Sequence, residues 1–167
     1  TLENVAVYNN SGSVYNDGGM IPQQHQYTKI TNSQIYGNVG NGVYSNVDIT
    51  ITNSEILNNT GNGVFSEAYI SVSYSTISDN GGYGVDSETG VNLNYSTVSG
   101  NGSFGVDGGA DFNTISNSKV SNNGGYGARG GDWTGSNSEI TNNNGYGINA
   151  GNTVSFTNFI ISYNKGN

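Results

Sequence analysis

Cysteine is absent from this 167-residue chain, and proline, methionine, tryptophan and histidine occur once each. The first absence excludes a disulfide framework and any thiolate metal site. Positive charge is also scarce: 4 Lys and Arg stand against 12 acids, giving a net charge of −8. Phosphate contact needs clustered cations, so nucleic acid is not an expected partner. Neither a signal peptide nor a membrane span is expected, since no apolar run reaches the ~18 residues of a membrane-crossing helix. Helices are disfavoured because 27 glycines are scattered through the chain and no helical stripe appears. With Leu2, Leu57 and Leu93 as its only leucines, the chain cannot supply leucine-rich repeats.

What the chain has is repetition. The segment Asn53-Ser54-Glu55-Ile56-Leu57-Asn58-Asn59-Thr60-Gly61-Asn62-Gly63-Val64 returns as Tyr74-Ser75-Thr76-Ile77-Ser78-Asp79-Asn80-Gly81-Gly82-Tyr83-Gly84-Val85. With the central aliphatic residue as position zero, the blocks centre on Val7, Ile35, Ile56, Ile77, Val98, Val120, Ile140 and Ile161; after the first, the steps are 21, 21, 21, 22, 20 and 21. A fixed period of this size describes a solenoid, with each repeat one coil stacked on the last.

The columns of the repeat carry its physics. Asparagine stands three residues after zero in every block: Asn10, Asn38, Asn59, Asn80, Asn101, Asn123, Asn143 and Asn164. Asparagine tolerates left-handed turns and bonds neighbouring backbone. Stacked coil on coil, its amide can also form a hydrogen-bonded ladder. Glycine follows at Gly42, Gly63, Gly84, Gly105, Gly127 and Gly147, where a bend suits a residue without Cβ, and a small or aliphatic residue comes next. Apolar pairs two residues apart, such as Ile49/Ile51, Ile70/Val72 and Val91/Leu93, show strand alternation. Tyr83, Phe104, Tyr126 and Tyr146 share a column and are placed to stack. Asn-Gly pairs suggest hairpins, but all fall in one window of the repeat, whereas a meander needs turns at both strand ends.

The Asn-x-Gly-x-Gly-Val and Ile-x-x-Asn elements resemble the right-handed parallel β-helix repeats of the pectin-lyase-like superfamily, closely over residues 28–167 and loosely over 1–15. The expected fold is an all-β, single-domain right-handed parallel β-helix over residues 1–167, with three short sheets and about eight coils, seven complete and one partial. The first coil carries seven surplus residues in an inserted loop at 16–26, which holds Pro22, Met20 and His25. Both ends fall inside a coil without a visible cap, so the expectation is a fragment of a longer protein or a subunit that stacks end to end.

Four features are candidates for chemistry. Asp86, Asp107 and Arg129 share a column in successive coils, where paired carboxylates suit glycosidic chemistry or a Ca²⁺ ion. The resemblance implies the same possibility, since lyases of the superfamily pair acidic Ca²⁺ ligands with an Arg or Lys base; the signatures of its hydrolases and alginate epimerases are missing. The structural alternative is that Arg129 relieves repulsion between the two acids. Gly81-Gly82-Tyr83-Gly84-Val85-Asp86 begins like a nonapeptide Ca²⁺ repeat but recurs every 21 residues instead of nine, so no ion is expected from it. Trp133, with Asp111 and Asp132, makes a candidate carbohydrate platform, although its phase also matches the inward column of Ile49, Ile70 and Val91. Finally, Thr50/Thr52, Ser71/Ser73, Asn92/Asn94, Thr114/Ser116, Thr134/Ser136 and Ser155/Thr157 form a two-column polar array. It resembles the Thr-x-Thr face of ice-binding solenoids.

The expected function is an extracellular or cell-surface structural β-helix, a scaffold, adhesin or filament segment that contacts polysaccharide. The alternatives are the core of a polysaccharide lyase, hydrolase or epimerase, and an ice-binding solenoid. No cofactor is expected beyond a possible Ca²⁺, and enzymatic activity is left open.

Overall fold

A computed structural model describes residues 1–17 and 26–166. Three strands make one coil, and like strands stack in parallel. The first stack runs through Leu2–Glu3, Tyr27–Thr31, Asp48–Thr52, Ile70–Ser73, Val91–Asn94 and Phe112–Ser116; the second through Ala6–Tyr8, Gln34–Tyr36, Glu55–Leu57, Thr76–Ser78, Thr97–Ser99 and Lys119–Ser121. The third comprises Val14–Asn16, Val43–Ser45, Val64–Ser66, Val85–Ser87, Val106–Asp107, Ala128–Gly130 and Ile148–Ala150. In the last coils Asp132–Thr141 and Val154–Ser162 run unbroken through the first corner. Among the described residues the stacks therefore bond as two sheets, of 14 and 7 strands, and not as the three expected. About six turns are regular, fewer than the seven complete coils expected, because the first coil carries the long stretch between Asn16 and Gln26. Most of that expected loop, residues 18–25, lies outside the described residues, together with Met20, Pro22 and His25.

The core is thin. One inward residue from each column, including Ile30, Ile35, Val43, Ile49 and Ile51 in the lower coils, is fully or almost fully buried. The registers show that the columns read from the period are real: Ile49, Ile70 and Val91 pair in sequence, as do Ile56, Ile77, Val98 and Val120.

Two of the three corners use the same device, a mostly exposed residue in the left-handed region followed, in the inner coils, by a buried polar residue. At the first corner φ lies between 47° and 54° at Asn4, Asn32, Asn53, Tyr74, Tyr95, Asn117, Asn137 and Asn158. Each buried serine after it (Ser33, Ser54, Ser75, Ser96, Ser118) donates its backbone N–H to the hydroxyl of the serine one coil on, at 3.0–3.1 Å. At the second corner the left-handed residues are Asn9, Gly37, Asn58, Asp79, Gly100, Asn122, Asn142 and Tyr163. The recurrent asparagine comes next and is not itself left-handed. Its task is the ladder. Asn38 Nδ2 donates to Asn59 Oδ1, Asn59 to Asn80, Asn80 to Asn101, Asn101 to Asn123, Asn123 to Asn143 and Asn143 to Asn164, all at 2.9–3.0 Å. Each Oδ1 also accepts the backbone N–H of the asparagine before it.

The repeated glycine is required by space and not by φ. A Cβ on Gly63 would stand 2.6 Å from Ile77 Cγ2, 2.7 Å from the Gly84 carbonyl and 2.8 Å from Asn80 Nδ2. Any side chain there would push the ladder amide away from its partner.

Replacing Asn59 tests the ladder. Asn59→Ala removes the acceptor of the Asn38 backbone N–H and one acceptor of the Asn38 amide, which keeps only the Val7 carbonyl, and takes from the Ile35 carbonyl the donor Asn59 Nδ2 at 3.2 Å. Buried groups left without partners cost about 1–3 kcal/mol here. Urea unfolding should show that loss, and an unchanged midpoint would remove the ladder from the account of stability.

Candidate functional site

The outer face of the third stack is one continuous column: Tyr15, Tyr44, Phe65, Asp86, Asp107, Arg129 and Asn149 pair rung by rung. The expected alignment of Asp86, Asp107 and Arg129 is therefore present. Three aromatic rings lead into it, Tyr15 on Tyr44 at 5.0 Å and Tyr44 on Phe65 at 5.2 Å between centroids. A second aromatic column stands beside it. Tyr83, Phe104 and Tyr126 stack at 5.0 and 4.6 Å, and Tyr146 tilts against Tyr126 at 5.2 Å. Arg129 joins the two columns. Its guanidinium donates to Asp107 Oδ2 and lies 4.8 Å from the centre of the Phe104 ring, a cation–π contact.

The two carboxyls differ. Asp107 is buried and bound to Arg129, whose own pKa is raised chiefly by that hydrogen bond. Asp86 is half-buried and accepts from Asn62 Nδ2 at 2.9 Å. Desolvation, with the neighbouring Asp107 charge added, pushes the Asp86 carboxyl up to about 6, against the opposing pull of Arg129 and Asn62. Asp86 can therefore give up or take a proton near neutral pH. Its separation from Asp107 by one rung, roughly 4.8 Å, is close to that of a retaining glycosidase pair. Arg129, however, occupies the carboxylate that would be the nucleophile. Ca²⁺ fits poorly for the same reason. It takes 6–8 oxygen ligands, a guanidinium already holds Asp107, and no three acidic or histidine side chains converge among the described residues.

Trp133 is in the core, not on the surface. It has no solvent exposure and pairs between Asn113 and Val154 in the column of Ile49, Ile70 and Val91. The physical reason lies across the coil. The buried serines Ser45, Ser66 and Ser87 give way to Gly108 and Gly130 in the next two coils, and larger inward side chains, Asn113 and Trp133, refill the space. Asn113 also accepts the Val91 N–H at 2.9 Å. A buried indole offers no face to a sugar, so Trp133 does not join Asp111 and Asp132 in a platform. Asp111 is exposed. Asp132 points outward and accepts the Thr153 backbone N–H at 2.9 Å, the main cause of its lowered pKa.

The two-column polar array lies in register on the first stack, from Thr50/Thr52 through Ser71/Ser73, Asn92/Asn94, Thr114/Ser116 and Thr134/Ser136 to Ser155/Thr157. Its threonine pattern is interrupted at serine and asparagine rungs. Two further features were not anticipated. One is the buried serine ladder, whose signal was a serine two before zero in six consecutive blocks. The other is a row of exposed rings at Tyr27, Tyr69 and Phe112, 55%, 38% and 76% exposed, along one edge of the array. It was hidden because it recurs every second coil.

A family described as a right handed beta helix region matches residues 19–165, and the chain belongs to it. No curated protein matches the chain, and no solved structure does.

The Asp86 shift makes a pH prediction. A carboxyl whose folded pKa is above its unfolded value of 3.8 binds more protons when folded, so stability falls as pH rises from about 4 to about 6 and stays low above that. Asp86→Asn removes that fall. After discounting for partial exposure, the variant should gain about 1–2 kcal/mol over wild type at pH 7 and little at pH 4. Equal pH profiles for the two proteins in thermal unfolding would contradict the shift.

Proposed function

We propose that this right-handed β-helix is a structural module of the cell exterior or surface that holds polysaccharide along its outer faces. The observation that supports the reading is the unbroken register of its outward side chains. From Thr50 to Thr157, hydroxyls and amides stand in straight columns one rung apart, a repeating set of donors and acceptors suited to a repeating polymer. Of the aligned carboxylates Asp86 and Asp107, the second is engaged by Arg129 in an ion pair. Affinity electrophoresis through gels cast with neutral and acidic polysaccharides tests the reading, together with assays for reducing ends and unsaturated uronates. Retardation by at least one polysaccharide without product is expected. Cleavage, or free migration through every gel, overturns it.

A second reading has its own support in the raised pKa of Asp86 beside Asp107: the chain would be the core of a polysaccharide lyase, hydrolase or epimerase. It requires measurable turnover that Asp86→Asn abolishes while the fold is kept.

The filament role is proposed on the inward columns of the outermost rungs. Leu2 pairs with Ile30 and Val7 with Ile35 at one end, and Phe156 and Ile161 continue the columns of Gly135 and Ile140 at the other. Ile161 is 46% exposed there, with apolar Val154 and Ile160 also exposed beside it. What covers these rungs is either further coils of the same protein or a second copy stacked head to tail, whose parallel strands present matching donors and acceptors in a contact that propagates and does not close. Sedimentation velocity should show concentration-dependent growth, diminished in Ile161→Lys. A monomer at all concentrations, with both terminal coils protected from hydrogen exchange, would overturn the filament role.

A further inference from the structure

We infer that the outer face of the first strand stack binds an extended, uncharged β-1,4-linked glycan, with Tyr27, Tyr69 and Phe112 as its stacking row. The inference rests on the polysaccharide reading above and narrows it to one face and one ligand class.

The row follows from the register. Tyr27 pairs with Asp48. Tyr69 stands on the next rung and donates its N–H to Asp48 Oδ1 at 3.1 Å. Gly90 and then Phe112 follow, and Phe112 pairs with Asp132. An aromatic ring thus occurs at every second rung, separated by Asp48, Gly90 and Asp132. Several other aromatic residues of this molecule occupy consecutive rungs and cover one another, as in Tyr74 on Tyr95 at 5.0 Å with planes 4° apart. Rings in such stacks cover part of their faces on one another, although they stay exposed to solvent elsewhere. Here the intervening residues leave the rings unstacked. Gly90 has a specific part: a Cβ on it would stand 2.9 Å from the Phe112 carbonyl and 3.2 Å from Cδ2 and Cε2 of Tyr69, so a side chain there would press on the Tyr69 ring.

Alternate rungs are roughly 9.5 Å apart. An extended β-1,4-linked pyranose chain turns over at each residue and presents the same apolar sugar face once per disaccharide, a step of similar length. An α-1,4-linked glucan coils and cannot follow a straight row. Hydroxyls on the edge of such a chain would meet the neighbouring column of Lys29, Thr50, Ser71, Asn92, Thr114 and Thr134. Charge selects against polyuronates. Within the strands of this stack from Tyr27 to Thr157 the outward charges among the described residues are Lys29, Asp48 and Asp132, and the chain as a whole carries −8, which repels a polyanion.

The test is calorimetry of the protein with cellohexaose, and with maltohexaose and oligogalacturonate as controls. Binding to cellohexaose alone is expected. Phe112→Ala, at the most exposed ring, should weaken it on the order of tenfold; Phe112→Trp should restore it, and Tyr95→Ala at the neighbouring corner should leave it unchanged. Unfolding temperatures of the variants confirm that the fold is kept. No binding to cellohexaose, or equal binding by Phe112→Ala, overturns the inference. Oligogalacturonate binding that survives Phe112→Ala also overturns it, while leaving the broader polysaccharide reading standing.

Discussion

Everything in this solenoid depends on the buried amide ladder at its second corner. A chain leaving the second strand stack must turn through a left-handed residue, which leaves backbone groups pointing into a dry interior. The asparagine that follows satisfies two of them at once. Its Oδ1 takes the N–H of the asparagine in the previous coil, and its Nδ2 reaches a carbonyl of that same coil, Ile35 for Asn59 and Ile56 for Asn80. An amide displaced by one residue would do neither. The ladder therefore reinforces at the corner the register that the alternating aliphatic columns specify along the strands.

The irregular steps of the repeat show how strictly this holds. Asn101 to Asn123 spans 22 residues and Asn123 to Asn143 spans 20, yet both bonds keep ordinary lengths. The variation is absorbed at the third corner. Val85 to Val91 is six residues, Val106 to Asn113 seven, Ala128 to Trp133 five and Ile148 to Val154 six, whereas seven residues always separate the first-stack residue from position zero. The long segment after Val14 lies at the same corner. It is the corner without a full-length polar ladder: its serines stop at Ser87, and glycines, Asn113 and Trp133 improvise the packing above. Length is free to change where no periodic hydrogen bond forbids it.

This explains what could be read from the chain alone. The solenoid, its parallel registers, the inward asparagines, the aromatic column at Tyr83 and the alignment of Asp86, Asp107 and Arg129 all follow from a period, and periods are visible in sequence. The division of labour at the corners was less visible. Left-handed φ falls on the variable residue before each asparagine, because an exposed turn residue is constrained by backbone conformation and not by a partner, so Asn, Asp, Gly and Tyr all serve. Trp133 was ambiguous because the steps of 22 and 20 blur its phase, and only the glycine at position 130 across the coil explains why the core there needs an indole. The alternating aromatic row was missed because its period is two coils, twice that of everything else.

Stacking also decides which side chains remain available to a ligand. On a parallel solenoid each outward group meets its own column neighbours before it meets anything else, at about 4.8 Å. Where neighbours suit each other, the column satisfies itself. Asn158 donates to Asn137 at 2.8 Å, Lys119 pairs with Glu139 at 3.3 Å, Arg129 takes Asp107, and Tyr74 covers Tyr95. Such columns rigidify the coil and spend part of their bonding groups and ring faces on one another. Availability arises where a neighbour is mismatched. Asp86 lies between Phe65 and an aspartate already claimed by Arg129, so its carboxyl is held by a single amide and shifts toward neutral pH. Tyr69 lies between an aspartate and a glycine, so its ring finds no partner in its own column. In a molecule whose order comes from repetition, the places able to act on something else are those where a column fails to repeat.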